Sequence, residues 1–207
     1  MILYNGLKAN LYGMTDNLIS RCSWAVGDAM MSYHDNEWGR PQHDDTVLYE
    51  FLVLEGAQAG LSWSTILNRR PGYRKAFANF DPHKVSEFDT DDVEMLMNDT
   101  GIIRNRRKIE SAINNAIKFV EVQQEYGSFD EFVWGIGGPT VTNNFSNVTE
   151  LPASTPVSHK MSKMLKKRGF TFVGPIICYA FMQTIGIVND HTTDCFVHQI
   201  LSTDASI

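Results

Sequence analysis

The tracts Tyr33-His34-Asp35-Asn36-Glu37-Trp38-Gly39 and Leu54-Glu55-Gly56-Ala57-Gln58-Ala59-Gly60-Leu61-Ser62-Trp63 bring an imidazole, carboxylates and large aromatic rings within 31 residues of one another. Flat aromatic faces attract a planar ring, more strongly when that ring carries positive charge. A carboxylate accepts hydrogen bonds and favours the same charge. The small residues from Gly56 to Gly60 leave room beside Glu55. Aromatic side chains also build cores, and Trp38 is assigned to that role.

A second set is divided between the two ends of the chain. His191 and Cys195 are four apart, so on a helical turn both point the same way. Cys22 and His34 could supply two more ligands, which would make a Cys2His2 set. Neither half is a tight Cys-x-x-Cys knuckle, so the spacing alone leaves metal binding open. Four protein ligands would leave no position for substrate, and the metal would be structural, a clip between the chain ends.

The elements that must position these residues are helices. Spacing predicts helices over 46–55, 62–69, 73–79, 91–98, 105–124, 128–134, 158–167 and 175–185. Strand-like alternation is nearly absent. In the longest helix Ile109, Ile113, Ala116, Ile117 and Val120 share a stripe. In 46–55 the stripe is Val47, Leu48, Phe51 and Leu52, and Glu55 continues it. Glu55 then has two placements: it is aimed into the core, or the helix ends near Leu54 and the carboxylate turns to solvent. A buried carboxylate must find donors, shift its pKa or face a cation. The Gly, Asn, Thr and Pro-rich stretch from Gly135 to Pro156 has the length of a connection between two lobes.

Arg168-Gly169-Phe170-Thr171-Phe172-Val173-Gly174 lies between a lysine-rich helix and the apolar run Ile176 to Met182. This reads as helix, tight hairpin, helix. The second helix would aim free N–H groups at the hairpin, a terminus suited to phosphate. A plain antiparallel helix pair with a glycine turn is the alternative.

The chain has 207 residues, 43% hydrophobic content and a net charge of −6, enough for one core or two small lobes around a cleft. Thirteen of the 18 Lys and Arg residues nevertheless fall into three tracts: 69–75, 104–108 and 160–168. Local concentration matters more than the total for a polyanionic partner. No stretch has the length of a membrane span and no secretory signal is present, so the expected compartment is the cytoplasm. Three cysteines fit free thiols or metal ligands better than a disulfide framework. Residues 1–20 show no convincing apolar period and contain a second methionine, Met14. They are read as an N-terminal extension, disordered or added to the natural chain, ahead of a functional domain at 21–207.

From Cys22 to Cys195 these motifs, together with Cys22-Ser23-Trp24 and Asn189-Asp190-His191, resemble the type I DNA-3-methyladenine glycosylases of the helix-hairpin-helix superfamily. The resemblance implies an all-α, two-lobed architecture with a structural zinc clip joining the N- and C-terminal segments, the metal held by Cys22, His34, His191 and Cys195. It implies that Tyr33 and Trp63 stack on a base turned out of duplex DNA, that Trp24 lines the pocket and that Glu55 hydrogen-bonds the edge of the base. Glu55, Tyr33 and Trp63 form the catalytic set. The DNA-binding set is Lys166, Lys167, Arg168, Gly169 and Gly174, the partner is double-stranded DNA with alkylated bases, the product is 3-methyladenine and the enzyme is a monomer.

Adenine alkylated at N3 is a cation with an already weak glycosidic bond, so no general acid is needed. The type I family lacks the catalytic Asp of other helix-hairpin-helix glycosylases, and Asp190 is read as a helix cap. No lysine stands out as a Schiff-base nucleophile, so strand cleavage is not expected. In one departure from the family, Met30 or Met31 stands where its members carry an aromatic. The runner-up is a catalytically silent DNA-binding protein on the same scaffold. A zinc hydrolase acting on a small molecule would need an open metal site, which four protein ligands exclude.

Overall fold

The computed structural model describes residues 19–204; the extension expected at 1–20 therefore lies almost wholly outside the described residues. The helices are α1 (Asp28–Asn36), α2 (Asp45–Gln58), α3 (Trp63–Ala76), α4 (Pro82–Val85), α5 (Thr90–Asn98), α6 (Arg106–Tyr126), α7 (Phe129–Gly137), α8 (Pro156–Lys167), α9 (Pro175–Thr184) and α10 (Phe196–Asp204). The described strands are β1 (Val141–Thr142) and β2 (Val188–Asn189), a two-residue parallel bridge pairing Val141 with Val188 and Thr142 with Asn189. The architecture is mostly helical and two-lobed, with a buried Cys and His cluster linking the ends of the chain. Among the described residues no helix is long and apolar enough to cross a membrane.

Local chemistry accounts for the helix starts. The side chain of Asp44 accepts from Val47 N–H ahead of α2, Ser62 from Thr65 ahead of α3, and Asn105 from Lys108 ahead of α6. Each satisfies an N–H with no partner inside its helix. Thr155 and Ser158 cap each other's backbones at the start of α8, where Pro156 occupies the first turn.

Helix α2 is the centre of the molecule and packs against α3, α6, α7 and α9. Every residue from Leu48 to Ala57 is buried, so the single apolar stripe read from the sequence is corrected to a helix enclosed on all faces. It also runs past Leu54, so Glu55 stays inside. Lys108 Nζ closes its C-terminal end by donating to the carbonyls of Ala57 and Ala59 at 2.8 and 2.7 Å.

Two other expectations change. The helices read at 62–69 and 73–79 are one helix, α3, with Pro71 inside it. Gly72 lets the loop at Gly101 press against that helix, since a Cβ there would overlap the Gly101 carbonyl. In α6 the buried face carries Ala112, Phe119 and Val122 with Ile109, Ile113 and Ala116, and Ile117 is exposed. The stripe read from the sequence was rotated slightly toward solvent.

Helices α8 and α9 form the predicted helix, hairpin, helix unit. Gly169 adopts φ +88°, favoured by glycine, and its N–H donates to Lys166 O. Phe170 and Val173 are buried beneath the turn. The turn is tied to α6 by Asn115, whose side chain accepts from Thr171 N–H and donates to Thr171 O, both at 2.9 Å.

Candidate active site and metal cluster

Helices α1, α2, α3 and α9 surround a cavity of about 270 Å³, small for a ligand cleft. Trp24, Met30 and Tyr33 line it from the N-terminal side, Glu55 and Gln58 from α2, Trp63 from the start of α3, and Ala180, Gln183 and Thr184 from α9. Leu151, from the connection between the lobes, closes the wall. Tyr33 and Trp63 meet at 5.2 Å between ring centroids, and Trp24 lies 6.4 Å from Tyr33. The four pocket residues inferred from the sequence therefore share one cavity, and of the two candidate methionines Met30 is the one that borders it. Trp38 is in the core, as assigned, and also reaches the cavity wall.

Glu55 is 4% exposed. Its Oε1 accepts from Thr184 Oγ1 at 2.7 Å, and the same hydroxyl lies 2.9 Å from the phenol oxygen of Tyr33. Burial pushes the carboxyl up to about 7, against the pull of the Thr184 bond. Burial first, and the neighbouring Glu55 second, push the Tyr33 phenol well above its ordinary range. The indole Nε1 of Trp63 is buried with no hydrogen-bond partner, an unspent donor beside the cavity. Thr184 was missed in the sequence. The available signal was the spacing of Ala180, Gln183 and Thr184, one helical face that interrupts an apolar run.

Beside this cavity, Cys22, His34, His191 and Cys195 are all buried and their ligand atoms lie within 4.8 Å of one another. His34 Nε2 is 3.1 Å from His191 Nδ1 and 3.4 Å from Cys195 Sγ, and His191 Nδ1 is 3.5 and 3.6 Å from Cys195 and Cys22. A tetrahedral zinc with bonds of about 2.0–2.3 Å has edges of roughly 3.3–3.8 Å, close to these separations. The opposite ring nitrogens are engaged as ligating histidines require: His34 Nδ1 lies 2.7 Å from Asp35 Oδ1, and His191 Nε2 lies 3.0 Å from Trp38 O. Arg21 in turn grips Asp35 through two nitrogens.

The two thiols are electrostatically unequal. The bond to Cys22 holds the Cys195 thiol far below its usual range, and that bond, with burial, pushes the Cys22 thiol up. Both would have to lose their protons to ligate a metal. Gly39 takes φ +78° and passes so close that a Cβ would stand 3.1 Å from the His191 ring. The donor set fits a metal.

Several placements differ from expectation. Asp190 caps no helix: it accepts from Asn143 Nδ2, Tyr179 OH and Gln183 Nε2 at 2.6, 2.6 and 2.8 Å, and α10 begins only at Phe196. His198 is buried against Asn143 O. Cys178, outside the metal set, is a buried core thiol, and burial pushes it up to about 12.

The basic tracts are unequally available. Arg70 and Arg74 bind the buried Glu50, Arg106 pairs with Glu94, and Arg168 makes a two-pronged contact with Glu125. Lys163, Lys166 and Lys167 are exposed on α8. Gly174 precedes α9 with open space around it and no side-chain cap.

A two-lobed helical body with a helix-hairpin-helix unit beside an aromatic, carboxylate-bearing cavity defines the helix-hairpin-helix glycosylase class. The methyladenine glycosylase profile matches residues 24–198, and the chain belongs to that family. It is 48% identical over 180 residues to DNA-3-methyladenine glycosylase 1 of Escherichia coli, covering 86% of this chain and 96% of that protein. A crystal structure of 3-methyladenine DNA glycosylase I superposes with a TM-score of 0.84 at 47% identity, over 86% of this chain and 100% of the other. A single-residue variant of 3-methyladenine DNA glycosylase I bound to 3-methyladenine superposes at 0.82 with 32% identity, covering 85% and 96%. The chain is accordingly an N-glycosylase, a hydrolase of the base excision type, and not a silent binding scaffold.

Proposed function

We propose that the cavity receives 3-methyladenine turned out of alkylated double-stranded DNA, and that the chain hydrolyses its N-glycosidic bond without a covalent intermediate. The observation that carries this reading is the buried carboxylate of Glu55, set among aromatic rings with one oxygen already bound by Thr184. A neutral base gains little from a buried anion, whereas a cationic base restores the charge balance that burial disturbs.

In the bound state Tyr33 and Trp63 stack on the base, Trp24 borders it and Glu55 accepts from its edge. The base leaves as neutral 3-methyladenine with the electron pair of the broken bond, and water adds to the sugar carbon with loss of a proton. No general acid is required, because the leaving base is already positive.

Phosphates are met by Lys166 and Lys167, by the backbone at Gly169 and by the open helix terminus at Gly174. Arg168 was grouped with them in the sequence, and its guanidinium is held by Glu125 and stacks on Tyr126 and Phe132. Its part in this reading is to brace the end of α8. Cys22, His34, His191 and Cys195 would hold one structural zinc, which ties the segment before α1 to the segment before α10. The functional domain is proposed as 21–207, acting as a monomer in the cytoplasm with its cysteines unpaired.

Glu55→Gln tests the reading, since it keeps the shape and removes the charge. A charge-assisted hydrogen bond contributes roughly 1.5–3 kcal/mol, so single-turnover release of 3-methyladenine from methylated duplex should slow by about one to two orders of magnitude. Affinity for undamaged duplex should hardly change. Excision at the wild-type rate would remove Glu55 from the site, and equal losses in both measurements would point to misfolding.

A further inference from the structure

Thr184 ends α9 with its hydroxyl between two groups of the pocket, and all three side chains are buried. Its Oγ1 donates to Glu55 Oε1 at 2.7 Å and lies 2.9 Å from Tyr33 OH. A hydroxyl has one hydrogen to give. With that hydrogen directed at the carboxylate, Tyr33 must be the donor in its own contact with Thr184. The chain of donation then has one direction, from Tyr33 through Thr184 to Glu55. Oε2 of Glu55 makes no hydrogen bond among the described residues, and Glu55 lines the cavity. Binding one oxygen therefore leaves the other for the ligand.

We infer that Thr184 is a positioning residue: it orients Glu55 so that Oε2 meets the extruded base, and it favours the ionised carboxylate over the protonated one by spending its only hydrogen on Oε1. The inference rests on the glycosylase reading of the pocket. Tyr33 from α1 and Thr184 from α9 face the carboxylate, while Gln58 and Gln183, which share the cavity, are neutral. Among charged groups, Glu37 and Arg70 bear on Tyr33. Against the burial of Glu55, the Thr184 bond is the opposing influence on its ionisation.

The experiment is the pH dependence of single-turnover 3-methyladenine release from methylated duplex, for the full chain and for Thr184→Val, Thr184→Ser and Glu55→Gln. Thr184→Val removes the donor at nearly constant volume. Losing a hydrogen bond to a charged group should move the midpoint of the acidic limb up by about one pH unit, so the rate falls roughly tenfold below the midpoint and recovers well above it. Thr184→Ser should restore the original midpoint. If the valine variant melts early, Thr184→Ala, which makes no demand on packing, should show the same displacement. A Thr184→Val rate lowered by one factor at every pH, or an unmoved midpoint, would overturn the inference and leave Thr184 a packing residue. The Glu55→Gln arm separates the two levels: a slow, pH-independent Glu55→Gln with an unmoved Thr184→Val sinks only the role of Thr184. A Glu55→Gln as fast as the wild type sinks the pocket reading beneath it.

Discussion

Arg70 and Glu50 meet inside the molecule, Nε donating to Oε1 at 2.8 Å, with side chains only 10% and 6% exposed. Arg70 also donates to both oxygens of Glu37 and lies 5.0 Å over the Phe51 ring, while Arg74 donates to Glu50 from the same helix. One guanidinium thus ties α2 and α3, which carry Glu55 and Trp63, to the C-terminal end of α1, the helix of Tyr33. Burial alone would raise the pKa of Glu50, but the bonds from Arg70 and Arg74 more than offset it and hold the carboxyl below its ordinary 4.5.

Glu50→Ala should therefore destabilise the fold by up to about 3 kcal/mol, because it removes the buried partner of Arg70 and leaves its guanidinium only the more exposed Glu37. The pH dependence has a definite sign. A depressed carboxyl contributes stability in full above pH 4.5, and this is lost as pH falls through the lower, folded-state value. Denaturant titrations should show a constant gap between wild type and Glu50→Ala above about pH 5 that narrows as the medium is acidified. A gap that widened in acid would contradict the assignment.

Glu55 should behave in the opposite way. Its folded carboxyl sits at about 7 against an ordinary 4.5, so the folded state holds the extra proton between those values and stability falls as pH rises through them. Glu55→Gln should then be more stable than the wild type at pH 8, by up to about 3 kcal/mol, and indistinguishable from it at pH 4. Paired unfolding curves at the two pH values decide this. The variant that loses excision would gain stability, the pattern of a charge kept for function at a cost to folding.

Protein purified without added metal should carry about one equivalent of zinc, as metal analysis would show. Cys195→Ala should lower the melting temperature while leaving the choice of excised base unchanged, because the cluster links chain ends and does not line the cavity. Gly39→Ala should weaken zinc retention, since its backbone angle and its 3.1 Å approach to the His191 ring both exclude a side chain. Zinc near zero at full stability would end the clip proposal.

Lys166→Glu with Lys167→Glu should weaken binding to damaged and undamaged duplex alike and reduce the slope of affinity against salt, the mark of lost phosphate contacts. Arg168→Ala should act mainly on thermal stability, because its guanidinium is already engaged by Glu125 and Tyr126. Fluorescence titrations over a range of salt concentrations compare the two variants with the wild type. Equal salt slopes for all of them would place the DNA face elsewhere.

Local spacing by itself determined most of the helices and a glycine turn between α8 and α9, because caps, glycines and apolar periods act within a few residues; that the turn is a hairpin for DNA and that Cys22, His34, His191 and Cys195 form one set came from the family resemblance. Helix α1 and helix α10 were not legible. The first follows Gly27 with no side-chain cap, and its Tyr33 and His34 serve the cavity and the cysteine and histidine cluster instead of a plain stripe. The aromatic and acidic residue types also announced a pocket, and where Glu55 pointed was left between core and solvent. Tertiary structure settled that point. The donor to Glu55 is Thr184, 129 positions away, and the partner of Arg168 is Glu125, 43 positions back. Helical periodicity says which face a side chain occupies, but carries no information about which distant face will meet it, so the state of a buried charge is decided only when the helices pack.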